Sequence, residues 1–411
     1  SLHRHCKMAQ WPNISGMDCG VSGHESMLNL SDARIQFLLD TIFDFSAWYG
    51  SLHRFLSVFI CSFGILANMM HIVILTRHVM KRSTVNRLLA FMACCDIVKM
   101  FTYLVYMIRF NLMAVDTIHA EERVRVFSLT WIVFLFLHIM LSIDLHTTSL
   151  YLSVCTAFIR YQAIKQLQSK FMQPQIALKL FVAVAASVSL FCIPTFLVHK
   201  VQTYDVGGTA YYSVTLPRND ASSCRMFMIN LWLTGIVFKA VPCALLVTFT
   251  ILLLYNLHQN QRKHEKIVSK DAAITRAARS DRTTLLLVLL LFVFIMTEMP
   301  QGIIAILNGI YPTEVHHYLY TPLGEVLDLL SLINGNACFI LYPCISSQYR
   351  ESFRMMVARL RQTIDSYSPR PSSRNSSHKT VKYSAVEYKS QTAVVESQRS
   401  SPGSTDGPVD L

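Results

Sequence analysis

The sequence has few charged residues for its length. Only 15% of its 411 residues are Asp, Glu, Lys or Arg, whereas typical soluble domains have about 25%. A further 52% are apolar, and only 14 are glycine. These values exclude an ordinary water-soluble enzyme, a mainly disordered chain and a collagen-like one. We therefore expect an all-α membrane protein with polar ends.

The chain also lacks the short motifs of several function classes. It has no His-Glu-x-x-His zinc motif and no glycine-rich phosphate loop. It has no internal repeat and no apolar stretch split by Gly and Pro, which are common in transporters. We expect no enzyme activity, cofactor, metal site or nucleic-acid partner, and we keep a transporter as an alternative.

Seven apolar stretches are long enough to cross a bilayer, which takes about 20 helical residues. We number them span 1 to span 7. Their predicted bounds are Phe55–Leu75, Leu88–Ile108, Phe127–Ile159, Ile176–Val198, Met226–Tyr255, Thr283–Ile310 and Leu319–Tyr342. The sequence thus predicts a seven-helix membrane bundle.

The basic residues of the loops predict how the bundle is oriented. One set of loops holds fourteen Lys and Arg residues and the opposite set holds six. Since the basic side faces the cytoplasm, the amino terminus is predicted to be extracellular, in a multi-pass protein of the plasma membrane. Asn13 and Asn29 begin glycosylation sequons in this outer segment.

A short amphipathic helix is predicted after span 7. Tyr349, Phe353, Met356 and Leu360 recur at helical spacing, opposite basic residues, so this helix suits the anionic lipid of the inner leaflet. The later residues are rich in Ser and Thr and are predicted to be disordered. The predicted divisions are an extracellular segment 1–54, a receptor domain 55–342, the amphipathic helix 343–361 and a cytoplasmic tail 362–411.

One face of span 3 carries a stripe of polar residues. At about 100° per residue, the stripe comprises Ser142, His146, Ser149, Ser153, Thr156 and Arg160. It should face the protein interior, because lipid does not accommodate it. Asp144 lies nearly opposite and is predicted to pack against a neighbouring helix.

Ionisable residues inside other spans mark further candidate sites. Counting residues places Asp96, Ser149 and Asn334 at one level, about 15 Å above the cytoplasmic face, where they could coordinate a small cation or hold water. Lys239 and Glu298 have matching depths and are predicted to pair. This pair is either a switch between two states or a static bridge that supports folding.

The outer ends of spans 6 and 7 are acidic. Glu325 and Asp328 are one helical turn apart, Glu314 lies in the adjoining loop, and that loop has no Lys or Arg. Such a rim should attract a cationic ligand.

An ordered set of motifs resembles the rhodopsin-like (class A) G-protein-coupled receptors. The matching residues are Asn68, Asp96, Phe158-Ile-Arg160-Tyr161, Pro242, Phe294, Thr297-Glu-Met-Pro300 and Cys338-Phe-Ile-Leu-Tyr342. The resemblance implies a heterotrimeric G protein bound at Arg160 and Tyr161, with arrestin and a receptor kinase as further partners. The predicted switch and buried polar residues are Asp96, Ser149, Lys239, Glu298, Asn334 and Tyr342.

The sequence departs from this family at several points. Glu298 stands where the family has Trp, and Cys338 where it has Asn. Leu135 stands near the place of the third-helix Cys that forms the family's outer disulfide. A bridge from Cys224 would therefore run to Cys6 or Cys19.

A narrower resemblance links the chain to the invertebrate myosuppressin and FMRFamide-like peptide receptors. It is carried by His146-Thr-Thr-Ser, Phe238-Lys239-Ala-Val-Pro242 and Thr297-Glu-Met-Pro-Gln-Gly302. It implies an extracellular neuropeptide that ends in Arg-Phe-amide, and a G protein often of the inhibitory class. The candidate ligand contacts are Ser142, His146, Gln301, Glu325 and Asp328. A chemosensory receptor of the same fold for a small molecule is the alternative.

Overall fold

The computed structural model describes residues 27–78, 80–113, 117–119, 124–165, 173–215, 221–265 and 270–367. Within these ranges, seven helices are long and apolar enough to cross a membrane, which confirms the predicted bundle. The seven spans cover Ala33–Leu75, Thr84–Leu112, Leu129–Ala163, Pro174–Val198, Ser222–Gln259, Phe292–Ile310 and His316–Cys344. Three spans contain π-helical turns, at Met107–Leu112, Leu233–Ala240 and His316–Tyr320.

Span 1 begins 22 residues before its predicted start at Phe55. Asp32 caps the helix, since its Oδ1 accepts a hydrogen bond from the backbone N–H of Arg34 at 2.8 Å. The predicted extracellular segment 1–54 therefore includes about six helical turns. Hydropathy missed them because Asp40, Asp44 and Arg54 are charged, which does not prevent a helix.

In the described part of the chain, two antiparallel hairpins lie between spans, one between spans 2 and 3 and one between spans 4 and 5. Strand β1 (Thr117–His119) pairs with β2 (Val124–Val126), and β3 (Lys200–Val206) pairs with β4 (Thr209–Thr215). Gly207 and Gly208 connect β3 to β4 at φ +63° and +81°, the positive values that a tight two-residue hairpin turn requires.

The bundle keeps its polar groups inside and leaves large apolar side chains outside. On span 1, Phe55, Phe59 and Leu66 are exposed, as expected for a surface that lipid covers. The apolar core of the half of the bundle near Tyr342 contains Leu75 of span 1, Leu88 of span 2 and Leu152 of span 3. Close packing of this core holds spans 1, 2 and 3 together.

The helix after span 7 covers Ser347–Tyr367, six residues beyond the predicted end at Arg361. Tyr349 and Met356 are buried, and Tyr349 Oη lies 3.0 Å from His71 Nδ1 of span 1. Burial raises the pKa of the Tyr349 hydroxyl, so this group stays protonated and donates to the imidazole. Most of the predicted tail, residues 368–411, lies outside the described residues.

Candidate functional site

The centre of the bundle contains the predicted ion pair between spans 5 and 6. Lys239 Nζ lies 2.7 Å from Glu298 Oε2. Glu298 has no exposed surface, and Lys239 is buried at 8%. Removal of two charges from solvent is costly unless they are paired and hydrogen-bonded. Lys239 and Glu298, which were matched by their depth in the membrane, thus form an ion pair.

His146 of span 3 joins this pair. Its Nε2 lies 3.2 Å from Glu298 Oε2 and 2.9 Å from Lys239 Nζ, and its Nδ1 lies 3.4 Å from Lys99 Nζ. His146 is a predicted ligand contact, and that role stays a prediction. In the structure its imidazole lies in the buried network, between the ammonium groups of two lysines.

Lys99 of span 2 is a charged member of the network that the sequence did not assign to any site. Its Nζ lies 3.2 Å from Asp96 Oδ1 and 3.4 Å from the backbone oxygen of Ser331. The carboxylate proposed as a ligand for a small cation is therefore paired with an ammonium group three residues away on its own helix. That i, i+3 spacing was the available signal.

Span 7 completes the network from the other side. Gln301 Oε1 accepts from Lys239 Nζ at 2.8 Å, and Gln301 Nε2 donates to Ser331 Oγ at 3.0 Å. Asn334 Nδ2 donates to Glu298 Oε1 at 2.9 Å. Gln301, a predicted ligand contact, is thus engaged inside the bundle. Two ammonium groups and two carboxylates tie spans 2, 3, 5, 6 and 7 together.

A cavity of about 90 Å³ extends from this network towards the end of the bundle that carries Arg160. Most residues of the span 3 stripe line this cavity, as expected if the stripe faces inwards. Side chains of spans 2 and 7 line it as well. The polar lining side chains are Asp96, His146, Ser149, Ser153, Thr156, Arg160, Thr250, Asn334 and Tyr342. The polar lining and the volume suit several water molecules.

The end of the cavity away from the network carries the predicted G-protein contacts. Arg160 is half-buried at this end. Tyr161 beside it contacts the ring of Phe249, and Lys165 Nζ lies 5.1 Å from the Tyr161 ring. Tyr342 of span 7 donates a hydrogen bond to Asn86 Oδ1 of span 2 at 3.0 Å.

Two acidic residues of the predicted rim contact different helices, Asp328 span 2 and Glu325 span 1. Asp328 is exposed, and its Oδ2 accepts a hydrogen bond from the Tyr103 hydroxyl at 3.1 Å. Glu325 packs so closely on span 1 that a methyl group at Gly50 would collide with its carboxylate. Asp328 is therefore the acid that faces open space. Ser142 is half-buried one turn above His146.

Three other predicted features have local partners. Asp144 accepts from Ser189 of span 4 at 2.8 Å, in agreement with the expected helix contact. Asn29 is exposed, whereas Asn13 lies outside the described residues. Cys224 is disulfide-bonded, and the other cysteines of the described part are free. The predicted partners, Cys6 and Cys19, lie outside the described residues.

A seven-helix bundle with a polar interior, an exposed acid near its outer end and an arginine near its inner end has the architecture of a G-protein-coupled receptor. The chain belongs to the serpentine seven-transmembrane chemoreceptor family Srw, whose model matches residues 55–359. It is also similar to the G-protein coupled receptor dmsr-1 of Caenorhabditis elegans. The two are 32% identical over 390 residues, which cover 81% of this chain and 75% of that receptor.

These similarities confirm a multi-pass membrane receptor. The family and the relative are receptors rather than enzymes. The narrower assignments, to class A and to the myosuppressin and FMRFamide-like group, stay predictions.

Proposed function

We propose that the protein is a plasma-membrane receptor for an extracellular amidated neuropeptide that ends in Arg-Phe-amide. The observation that carries the proposal is the exposed carboxylate of Asp328, held by Tyr103 and with Glu325 one turn away. A guanidinium group near this carboxylate gains a charge-assisted hydrogen bond. A neutral odorant gains nothing from the same charge.

The cytoplasmic partner in this proposal is a heterotrimeric G protein, of the inhibitory class. It would bind around Arg160 and Tyr161, at the inner end of the polar cavity. A receptor kinase and arrestin would act on the Ser- and Thr-rich tail, and the helix Ser347–Tyr367 would lie on the inner leaflet. The amino terminus, with glycosylation at Asn13 and Asn29, would be outside.

The experiment is a signalling screen in cells that express the receptor. Each amidated Arg-Phe peptide is paired with the same peptide carrying a free carboxyl terminus, and a small-molecule panel tests the chemosensory alternative. We expect the amidated peptides to stimulate nucleotide exchange. This exchange should be lost when G proteins of the inhibitory class are blocked. Activation by neutral small molecules alone would contradict the peptide proposal.

We also propose that the pair of Lys239 and Glu298 is the switch of this receptor. A ligand can bias a bundle only through an element with two discrete arrangements. The neutral imidazole of His146 provides two. With the proton on Nε2 it donates to Glu298 and accepts from Lys99 through Nδ1. With the proton on Nδ1 it accepts from Lys239 through Nε2, and the Lys99 ammonium, which cannot accept a hydrogen bond, has to turn from Nδ1 towards Asp96. The two arrangements hold span 3 to span 6 or to span 5.

A further inference from the structure

The outer part of the bundle contains a chain of hydrogen bonds that ends on Asp328. Tyr49 Oη lies 3.2 Å from His53 Nδ1, and His53 Nε2 lies 3.0 Å from Tyr103 Oη. Tyr103 Oη lies 3.1 Å from Asp328 Oδ2. The chain starts in span 1, crosses span 2 and reaches span 7.

The direction of this chain follows from the donors available. A carboxylate only accepts, so the Tyr103 proton goes to Asp328. The Tyr103 oxygen must then accept from the N–H at His53 Nε2. In a neutral imidazole, Nδ1 is left as an acceptor for the Tyr49 hydroxyl. Ser57 Oγ, 2.9 Å from the same Nε2, also accepts.

Burial shows where the chain is rigid and where it is open. His53 is 1% exposed and Tyr103 is 7% exposed, whereas Asp328 is exposed. The two buried groups therefore fix one oxygen of a carboxylate that remains accessible to a ligand.

We infer that His53 is a positioning residue for a guanidinium group of the ligand: it orients Tyr103, which in turn aims Asp328. The inference rests on the proposed function and adds a residue of span 1 that does not itself touch the ligand. Loss of the Nε2 donor should free Tyr103 to rotate and leave Asp328 without a fixed orientation. The preference for a cationic ligand group then falls, while other ligand contacts persist.

The test uses two probes on the full-length receptor, Phe-Met-Arg-Phe-amide and the same peptide with citrulline in place of arginine. Citrulline keeps the shape of the side chain and removes its charge. The ratio of the two potencies is measured within each receptor variant, so that altered surface expression cancels. We expect wild type to prefer arginine by at least about tenfold, the effect of one charge-assisted hydrogen bond.

The variants separate positioning from general support of the fold. In His53→Asn the amide reaches only to the place of Nδ1. This variant and Tyr103→Phe should reduce the preference for arginine over citrulline below about threefold. His53→Gln, whose amide nitrogen reaches the place of Nε2, should retain it. The matched control is His71→Asn in the same helix, a fully buried histidine that also contacts a tyrosine hydroxyl, and it should retain the preference.

Each outcome decides between the proposals. Loss of the arginine preference in His53→Asn and Tyr103→Phe, with retention in His53→Gln, supports the inference. A wild-type receptor that responds equally to both probes, or variants that all keep the preference, overturns the inference and leaves the peptide receptor standing. A wild-type receptor that responds to neither probe overturns the proposed function for this peptide class, and the inference with it.

Discussion

Loss of either member of the Lys239–Glu298 pair should destabilise the receptor strongly. At an effective dielectric constant of about 20, unit charges 2.7 Å apart attract each other by about 6 kcal/mol. Desolvation offsets part of this energy, and removal of one partner of a buried pair typically costs about 3–5 kcal/mol. In Glu298→Gln, an amide group also replaces the oxygen that accepts from both Lys239 and His146.

Two measurements report the effect. Surface expression and the melting temperature of the detergent-solubilised receptor should fall in both Glu298→Gln and Lys239→Gln. If the pair is also a switch, nucleotide exchange without ligand should change in the receptors that reach the surface. If the pair is a static bridge, expression should fall and the exchange per surface receptor should stay constant.

Double variants test whether the two residues depend on each other. The exchanged pair, Lys239→Glu with Glu298→Lys, should recover part of the expression and signalling that either single variant loses. The recovery should be incomplete, because the new ammonium group would face the donor Nδ2 of Asn334. Lys239→Gln with Glu298→Gln removes both charges. Its surface expression and melting temperature should also exceed those of the single variants. Asp144→Asn, an intramembrane carboxylate bonded to Ser189 on another face, is the matched control with little expected loss. Double variants no better than the worse single variant, in expression and in signalling, would refute the pairing argument.

Three further predictions concern the two ends of the receptor. Asp328→Asn should weaken potency for an Arg-Phe-amide peptide by about 1.5–3 kcal/mol, roughly ten- to hundredfold, with normal surface expression; unchanged potency in both Asp328→Asn and Glu325→Gln would contradict the acidic ligand site. Arg160→Ala should still bind radiolabelled peptide and lose stimulated nucleotide exchange, and exchange at wild-type amplitude would remove Arg160 from the G-protein site. Truncation after Tyr367 retains the described helix but removes most of the Ser and Thr residues of the tail that phosphorylation would charge. It should therefore abolish agonist-driven arrestin recruitment and internalisation, and intact internalisation would count against a regulatory tail.

The sequence predicted those parts of the fold that depend on local pattern. Apolar runs located all seven spans, and helical spacing turned the span 3 stripe towards the interior. Depth counting matched Lys239 to Glu298, because helical rise is constant and a bilayer fixes a common origin for it. These inferences needed no knowledge of how the helices are rotated about their axes.

Rotation and side-chain reach are what the sequence could not supply. Asp96 was grouped with Ser149 and Asn334 by depth, yet its closest charged partner is Lys99. His146 was predicted to contact the ligand because it lies in the outer half of span 3, and Gln301 because it belongs to a motif that carries the family resemblance. Their place in the network depends on the lateral approach of spans 3, 5 and 6, which helical periodicity along one span does not determine.

The two proposed sites are connected through one face of span 7. Asp328, Ser331 and Asn334 follow each other at intervals of three residues, so they lie one above the other on the helix. Asp328 meets Tyr103 at the outer end, Ser331 contacts the network through Gln301, and Asn334 holds the carboxylate of Glu298. If a ligand cation draws Asp328 away from Tyr103, we expect span 7 to shift and to carry the other two side chains with it. Because the network joins span 7 to spans 3, 5 and 6 and its histidine has two hydrogen-bonding arrangements, we expect a small displacement of span 7 to favour one arrangement over the other. The ligand and the buried pair therefore need no direct contact to influence each other.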